Sequence, residues 1–120
     1  MTLARWRLLF LATVLANLAI LYWPRDVGGG GPPHLDKAVH VLTFAAVAWA
    51  GLRVRLPAAW LLPVLTLHAG LSEVVQDRLL PDRSGDTADV VADLVGILAG
   101  TVLARASWRD EPGVRTRHRH

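Results

Sequence analysis

The chain contains no cysteine, which excludes disulfides, thiolate nucleophiles and cysteine-ligated zinc. It also lacks an evident serine nucleophile, because Ser72 and Ser84 stand in no recognisable activating pattern. A small-x-small cleavage site is missing after the first apolar stretch, which leaves through Leu21-Tyr22-Trp23-Pro24. That bulky exit argues for a retained membrane helix rather than a removed signal peptide. Charges are rare inside the apolar runs and gather in the gaps between them.

What remains is a 120-residue chain that is 52% hydrophobic, with a mean hydropathy of +0.35. A soluble domain of this size would have to hide four apolar segments in one small core, whereas a bilayer removes that demand. The fold expected is all-α, a polytopic membrane protein with four transmembrane helices over about 6–23, 36–53, 57–76 and 88–106. Residues 1–107 then form one membrane domain and 108–120 a basic disordered tail, suited to anionic lipid heads. The second segment is short unless its helix begins near Leu35. Pro57 suits the first turn of the third helix, and Pro63 should kink it. Gly96-x-x-x-Gly100 permits close helix approach within the chain.

The net charge of +3 and a pI near 10.6 do not indicate nucleic acid, because the arginines mark helix ends. Arg5, Arg7, Arg53, Arg55, Arg105, Arg109, Arg115, Arg117 and Arg119 fall on one side, nine in all. Arg25, Lys37, Arg78 and Arg83 fall on the other, four in all. The positive-inside rule therefore places both termini in the cytoplasm of a multi-pass protein, and the Ala, Leu, Val and Arg bias suggests a bacterial cytoplasmic membrane. Trp6, Trp49, Trp60 and Trp108 sit near the inner interface and Trp23 near the outer one.

With that topology the unusual polar residues all reach the outer half of the membrane. Asp36 and His40 share a helix face beside Lys37, with Phe44 one turn deeper. Glu73 and Gln76 close the third helix. Asp86, Asp89 and Asp93 form one stripe running into the fourth, preceded by Arg83. Ionisable groups on apolar helices are costly in lipid and mark functional sites. His40 fits a general base or metal ligand, held by Asp36 or by a carboxylate of another helix. Glu73 fits proton transfer or cation binding, and these two are the catalytic candidates. Arg83 fits a phosphate or carboxylate, and Asp86 fits the N-cap of the fourth helix. Asp89 and Asp93, with Glu73 or His40, suit a divalent cation such as Mg²⁺, Ca²⁺ or Mn²⁺, although nothing in the sequence requires a cofactor. His68, in the middle of the third segment, fits a helix-packing hydrogen bond.

The pattern Asp36-Lys37-x-x-His40-x-x-x-Phe44, Glu73-x-x-Gln76 and Pro81-x-Arg83-x-x-Asp86-x-x-Asp89-x-x-x-Asp93-x-x-Gly96 resembles the VanZ-like family. These are small bacterial membrane proteins named for a member associated with teicoplanin resistance. The resemblance spans roughly residues 35–104 and departs at Asp93, where family members often carry Asn. It implies a four-helix protein of the cell envelope, and it carries a site more readily than a reaction.

Three roles follow as expectations. The polar site binds a lipid-linked or phosphate-bearing envelope headgroup and influences glycopeptide susceptibility, or it serves an intramembrane enzyme, or it only sets helix packing. The oligomeric state stays open. Single cysteines at Gly30, Ser84 and Ser107 test the topology directly, because the native chain has none. An impermeant thiol reagent should label intact cells at Gly30→Cys and Ser84→Cys and spare Ser107→Cys, and the reverse labelling would turn the polar site toward the cytoplasm.

Overall fold

The computed structural model describes residues 2–23, 34–80 and 87–110, which form α-helices with no strand among the described residues. The elements are α1 (Leu3–Tyr22), α2 (Leu35–Arg53), α3 (Ala58–Leu79) and α4 (Thr87–Arg109). All four are long and apolar enough to cross a membrane. At about 1.5 Å per residue they reach roughly 28–35 Å, the thickness of a hydrocarbon core. α2 does begin at Leu35, so its length comes from the residues ahead of the apolar run.

The burial pattern is the reverse of a soluble core. Leu8, Leu11, Leu15, Leu42, Leu67, Leu71 and Leu98 are exposed, while Asn17, His40, Ser72, Gln76, Asp89 and Asp93 are buried. Such a surface suits lipid, and it would be a large sticky patch in water.

Several helix ends differ from the sequence expectation. α1 starts at Leu3 because Thr2 caps it, its Oγ1 accepting from Arg5 N at 3.3 Å. α3 runs on to Leu79 and takes in Asp77 and Arg78, beyond the expected end at residue 76. It stops at Leu80, an extended residue that precedes Pro81, where the proline ring disfavours helix. Pro57 is the N-cap of α3 instead of its first-turn residue, and one continuous helix passes through Pro63. Trp108 and Arg109 belong to α4 and not to the tail, whose residues 111–120 lie outside the described part.

A tight turn joins α2 to α3. Leu56 N donates to Gly51 O at 3.1 Å and Arg55 N to Leu52 O at 3.0 Å. This paired closure ends helices around a left-handed residue. Arg55 holds that place at φ 66°, a position that usually favours glycine.

The helix pairings follow from which residues meet. α2 and α4 make the most extensive contact in the bundle. Val41 O faces Gly96 and Ala45 O faces Gly100, so residue numbers rise together and the two helices run parallel. α1 and α3 run against α2, as Trp6 with Trp49 and Asn17 with Thr43 show for α1, and Gly51 with Leu61 and Phe44 with His68 for α3. One end of the bundle therefore holds the starts of α2 and α4 and the ends of α1 and α3. The opposite end gathers Arg5, Arg7, Arg53, Arg55, Arg105 and Arg109. There Trp6 meets Trp49 edge to face at 5.2 Å, and the Arg53 guanidinium lies 4.7 Å over the Trp6 ring.

A methyl group on Gly96 would strike the Val41 carbonyl, whereas one on Gly70 would meet nothing within 4 Å. Gly96→Ala should lower stability by about 1–3 kcal/mol through overpacking. Gly70→Ala should raise it by up to about 1 kcal/mol through helix propensity. Unfolding of the purified variants in detergent checks both, and equal effects would mean that α4 does not rest on α2 at Gly96.

Candidate functional site

Two of the three polar motifs close on each other across the parallel α2/α4 pair. Lys37 Nζ donates to Asp36 Oδ2 at 3.0 Å and to Asp89 Oδ1 at 2.5 Å. His40 Nδ1 lies 2.6 Å from Asp93 Oδ1. A carboxylate can only accept, so the ring N–H on Nδ1 donates, and Nε2 is left facing Asp89 Oδ2 at 3.9 Å. His40 is therefore held by a carboxylate of another helix, one of the two arrangements its position allowed.

The cluster is layered. Asp36 and Lys37 form a rim, with side chains 27% and 30% exposed. His40, Asp89 and Asp93 lie beneath it, and Asp93 is fully buried. Asp93 Oδ2 has no hydrogen-bond partner among the described residues. Asp36 and Asp89 stand in the first turns of their helices, where the macrodipole favours negative charge. His40 and Asp93 lie deeper and depend on each other.

The third motif divides. Gln76 is buried, and its Nε2 donates to Leu21 O at 2.9 Å, closing one of the free carbonyls at the end of α1. Glu73 is half-buried at the same end of the bundle. Arg83 and Asp86 lie outside the described residues. Among the described residues, the group with metal-ligand spacing is Asp36, His40 and Asp89. Glu73 is not in that group, and Asp93 bonds the ring of one of its members.

A second polar network crosses the middle of the bundle. Tyr22 OH donates to His68 Nδ1 at 3.4 Å, His68 Nε2 to Asn17 Oδ1 at 2.9 Å, and Asn17 Nδ2 to Thr43 Oγ1 at 3.2 Å. His68 thus makes the packing hydrogen bonds expected of it, tying α1, α2 and α3 together. Asn17 is the one strongly polar residue of the first apolar segment, but its partners on other helices have no spacing that would reveal them. The Phe44 ring, 5.7 Å from the His68 ring, stands one turn below His40 and separates the two networks.

An apolar groove of about 450 Å³ lies elsewhere on α2, between Ala12, Ala16, Ile20, Val39, Leu42 and Ala46. It follows the face of α2 turned to α1, so it does not open into the polar cluster. Comparison with family models, curated proteins and solved structures gives no match for this chain.

The coupling of His40 to Asp93 is measurable. Asp93→Leu should cost about 3–5 kcal/mol, because it strips a buried ring N–H of its acceptor. The double variant His40→Leu/Asp93→Leu should recover a large part of that loss in detergent unfolding. Strict additivity of the two single changes would mean the pair is not coupled.

Proposed function

We propose that this chain is a VanZ-like integral membrane protein of the bacterial cytoplasmic membrane, with both termini in the cytoplasm. Its α2/α4 site opens to the outer face, where it binds the headgroup of a lipid-linked or phosphate-bearing envelope molecule. By doing so it alters how the envelope presents itself to glycopeptide antibiotics such as teicoplanin. Three motifs at family-like spacing and the arginine bias toward one end support the identity and the orientation.

The observation that carries the binding role is the layered cluster itself. A purely structural lock between helices has no need of an accessible rim, yet Asp36 and Lys37 remain partly open above the buried His40–Asp93 pair. A headgroup arriving from the lipid surface would meet Lys37 first. Arg83, four residues ahead of Thr87 in the sequence, adds a bidentate phosphate partner. The two helix N-termini at this end also favour an anion.

A packing role is the second reading, because both Lys37–Asp89 and His40–Asp93 cross between helices. An intramembrane enzyme using His40 or Glu73 as acid or base draws less support, since the buried Ser72 hydroxyl donates to Ala69 O at 3.0 Å.

Native mass spectrometry of the purified protein should separate these readings. A phosphate-bearing lipid should be retained about tenfold more strongly than a neutral lipid with the same chains. Arg83→Gln should remove most of that preference while leaving the unfolding transition unchanged, and Lys37→Met should remove most of it while lowering stability through the lost Lys37–Asp89 pair. Equal preference in wild type and both variants would overturn headgroup binding. A loss of preference in Arg83→Gln that comes only with a parallel loss of stability would favour packing.

A further inference from the structure

We infer that Asp36, His40 and Asp89 form a binding site for a first-row divalent metal ion, and that Lys37 occupies this site as its competing cation. The inference rests on the headgroup reading of the same site and deepens it, because the ion would bridge protein carboxylates to a phosphate.

Charge is the first argument. Among the described residues, the cluster sets three carboxylates, Asp36, Asp89 and Asp93, against the chain's single lysine and one histidine. Such a group favours a further positive charge, which would add to the hold of Lys37 and the helix N-termini on a phosphate. The fully buried Asp93, with Oδ2 lacking a partner among the described residues, shows that this excess reaches the base of the cluster.

Geometry is the second. One ligand atom from each of Asp36, His40 and Asp89 lies within 4.8 Å of the others. Metal bonds of about 2.0–2.2 Å place neighbouring donors roughly 3.3 Å apart, so a small closure completes the set. His40 is oriented for this role. Its Nδ1 is held by Asp93 at 2.6 Å, and Nε2 turns toward Asp89. A carboxylate behind a ligating imidazole is the recurrent support of metal-binding histidines. Asp93 is then a positioning residue rather than the ligand that the sequence suggested, and Glu73 stands outside the donor set.

The donors choose the metal. One imidazole nitrogen with two carboxylate oxygens suits Mn²⁺ or Zn²⁺ better than Mg²⁺ or Ca²⁺. Three protein ligands leave positions open for water or a phosphate oxygen. The Lys37 ammonium now bridges the carboxylates of Asp36 and Asp89. An arriving ion must displace it, and its side chain, 30% exposed, has room to swing to the rim. There the freed ammonium can meet the same phosphate.

The test uses the full chain in detergent, without phosphate lipid, on a tag that contains no histidine. His118→Ala and His120→Ala silence the tail. Mn²⁺ binding is followed by loss of the free-ion resonance signal, and Zn²⁺ by competition with a chromophoric chelator. One ion should bind per chain. Asp93→Asn should weaken affinity about 10–100-fold, as expected of a carboxylate behind a ligating histidine. His40→Gln and Asp89→Asn should weaken it at least about tenfold, and Lys37→Met should strengthen it by about tenfold. Glu73→Gln should leave it unchanged.

Lys37→Met alters a partly exposed side chain, so its gain in affinity stands even where a core variant fails to fold. No saturable binding in either wild type or Lys37→Met at about 100 μM would overturn the inference. Affinity insensitive to Asp89→Asn in folded protein would do the same. Phosphate-lipid selection that persists in chelator, together with no saturable metal binding, refutes the ion and leaves the headgroup reading standing. Metal binding without any phosphate-lipid preference refutes the headgroup reading and keeps the ion.

Discussion

The close approach of α4 to α2 is the constraint on which the rest depends. In hydrocarbon no hydrophobic force drives one helix onto another, so association rests on packing and on polar contacts. Gly96 and Gly100 set the α4 backbone directly against the carbonyls of Val41 and Ala45. That contact fixes the parallel register, and the register brings Asp93 to His40 and Asp89 to Lys37 one and two turns earlier. A bulkier residue at either glycine would part these pairs, and the separated charges would then face lipid unpartnered. Packing and polar pairing therefore hold each other in place.

The two polar networks serve different ends. The Tyr22–His68–Asn17–Thr43 chain gives each of its side-chain polar atoms a partner and joins three helices with neutral groups. Its composition is that of a structural tie. The α2/α4 cluster is charged, unbalanced toward carboxylate, and open at its rim. Stability alone would be served as well by apolar side chains of similar volume. The contrast between a satisfied neutral network and an unbalanced ionic one within the same bundle favours a ligand for the second.

Much of the fold was legible in the residues. Four apolar runs bounded by arginine, proline and glycine specify four helices, and the helix ends moved by only a few positions. Those shifts came from local chemistry that hydropathy does not register, such as the Thr2 cap and the restriction imposed on Leu80 by Pro81. The site was legible in part. Spacing along one helix placed Asp36 with His40 and Asp89 with Asp93, because that relation is set by helix period. It could not choose among partners on different helices. That choice depends on backbone approach at Gly96 and Gly100, and so Asp93 turned out to hold His40 while Gln76 went to the end of α1.

Because α2 and α4 run parallel, their N-terminal ends must emerge at the same end of the bundle, opposite the arginine-rich one. The distribution of arginine is what orients a membrane protein during insertion. In a bilayer, residues far from the cluster, such as Arg5, Arg53 and Arg105, would therefore decide which compartment the rim formed by Asp36 and Lys37 can sample. Inverting the chain would leave every distance within the site intact and still present it to a different set of molecules. The proposed function is thus a joint property of the cluster and of charges placed at the other end of the helices.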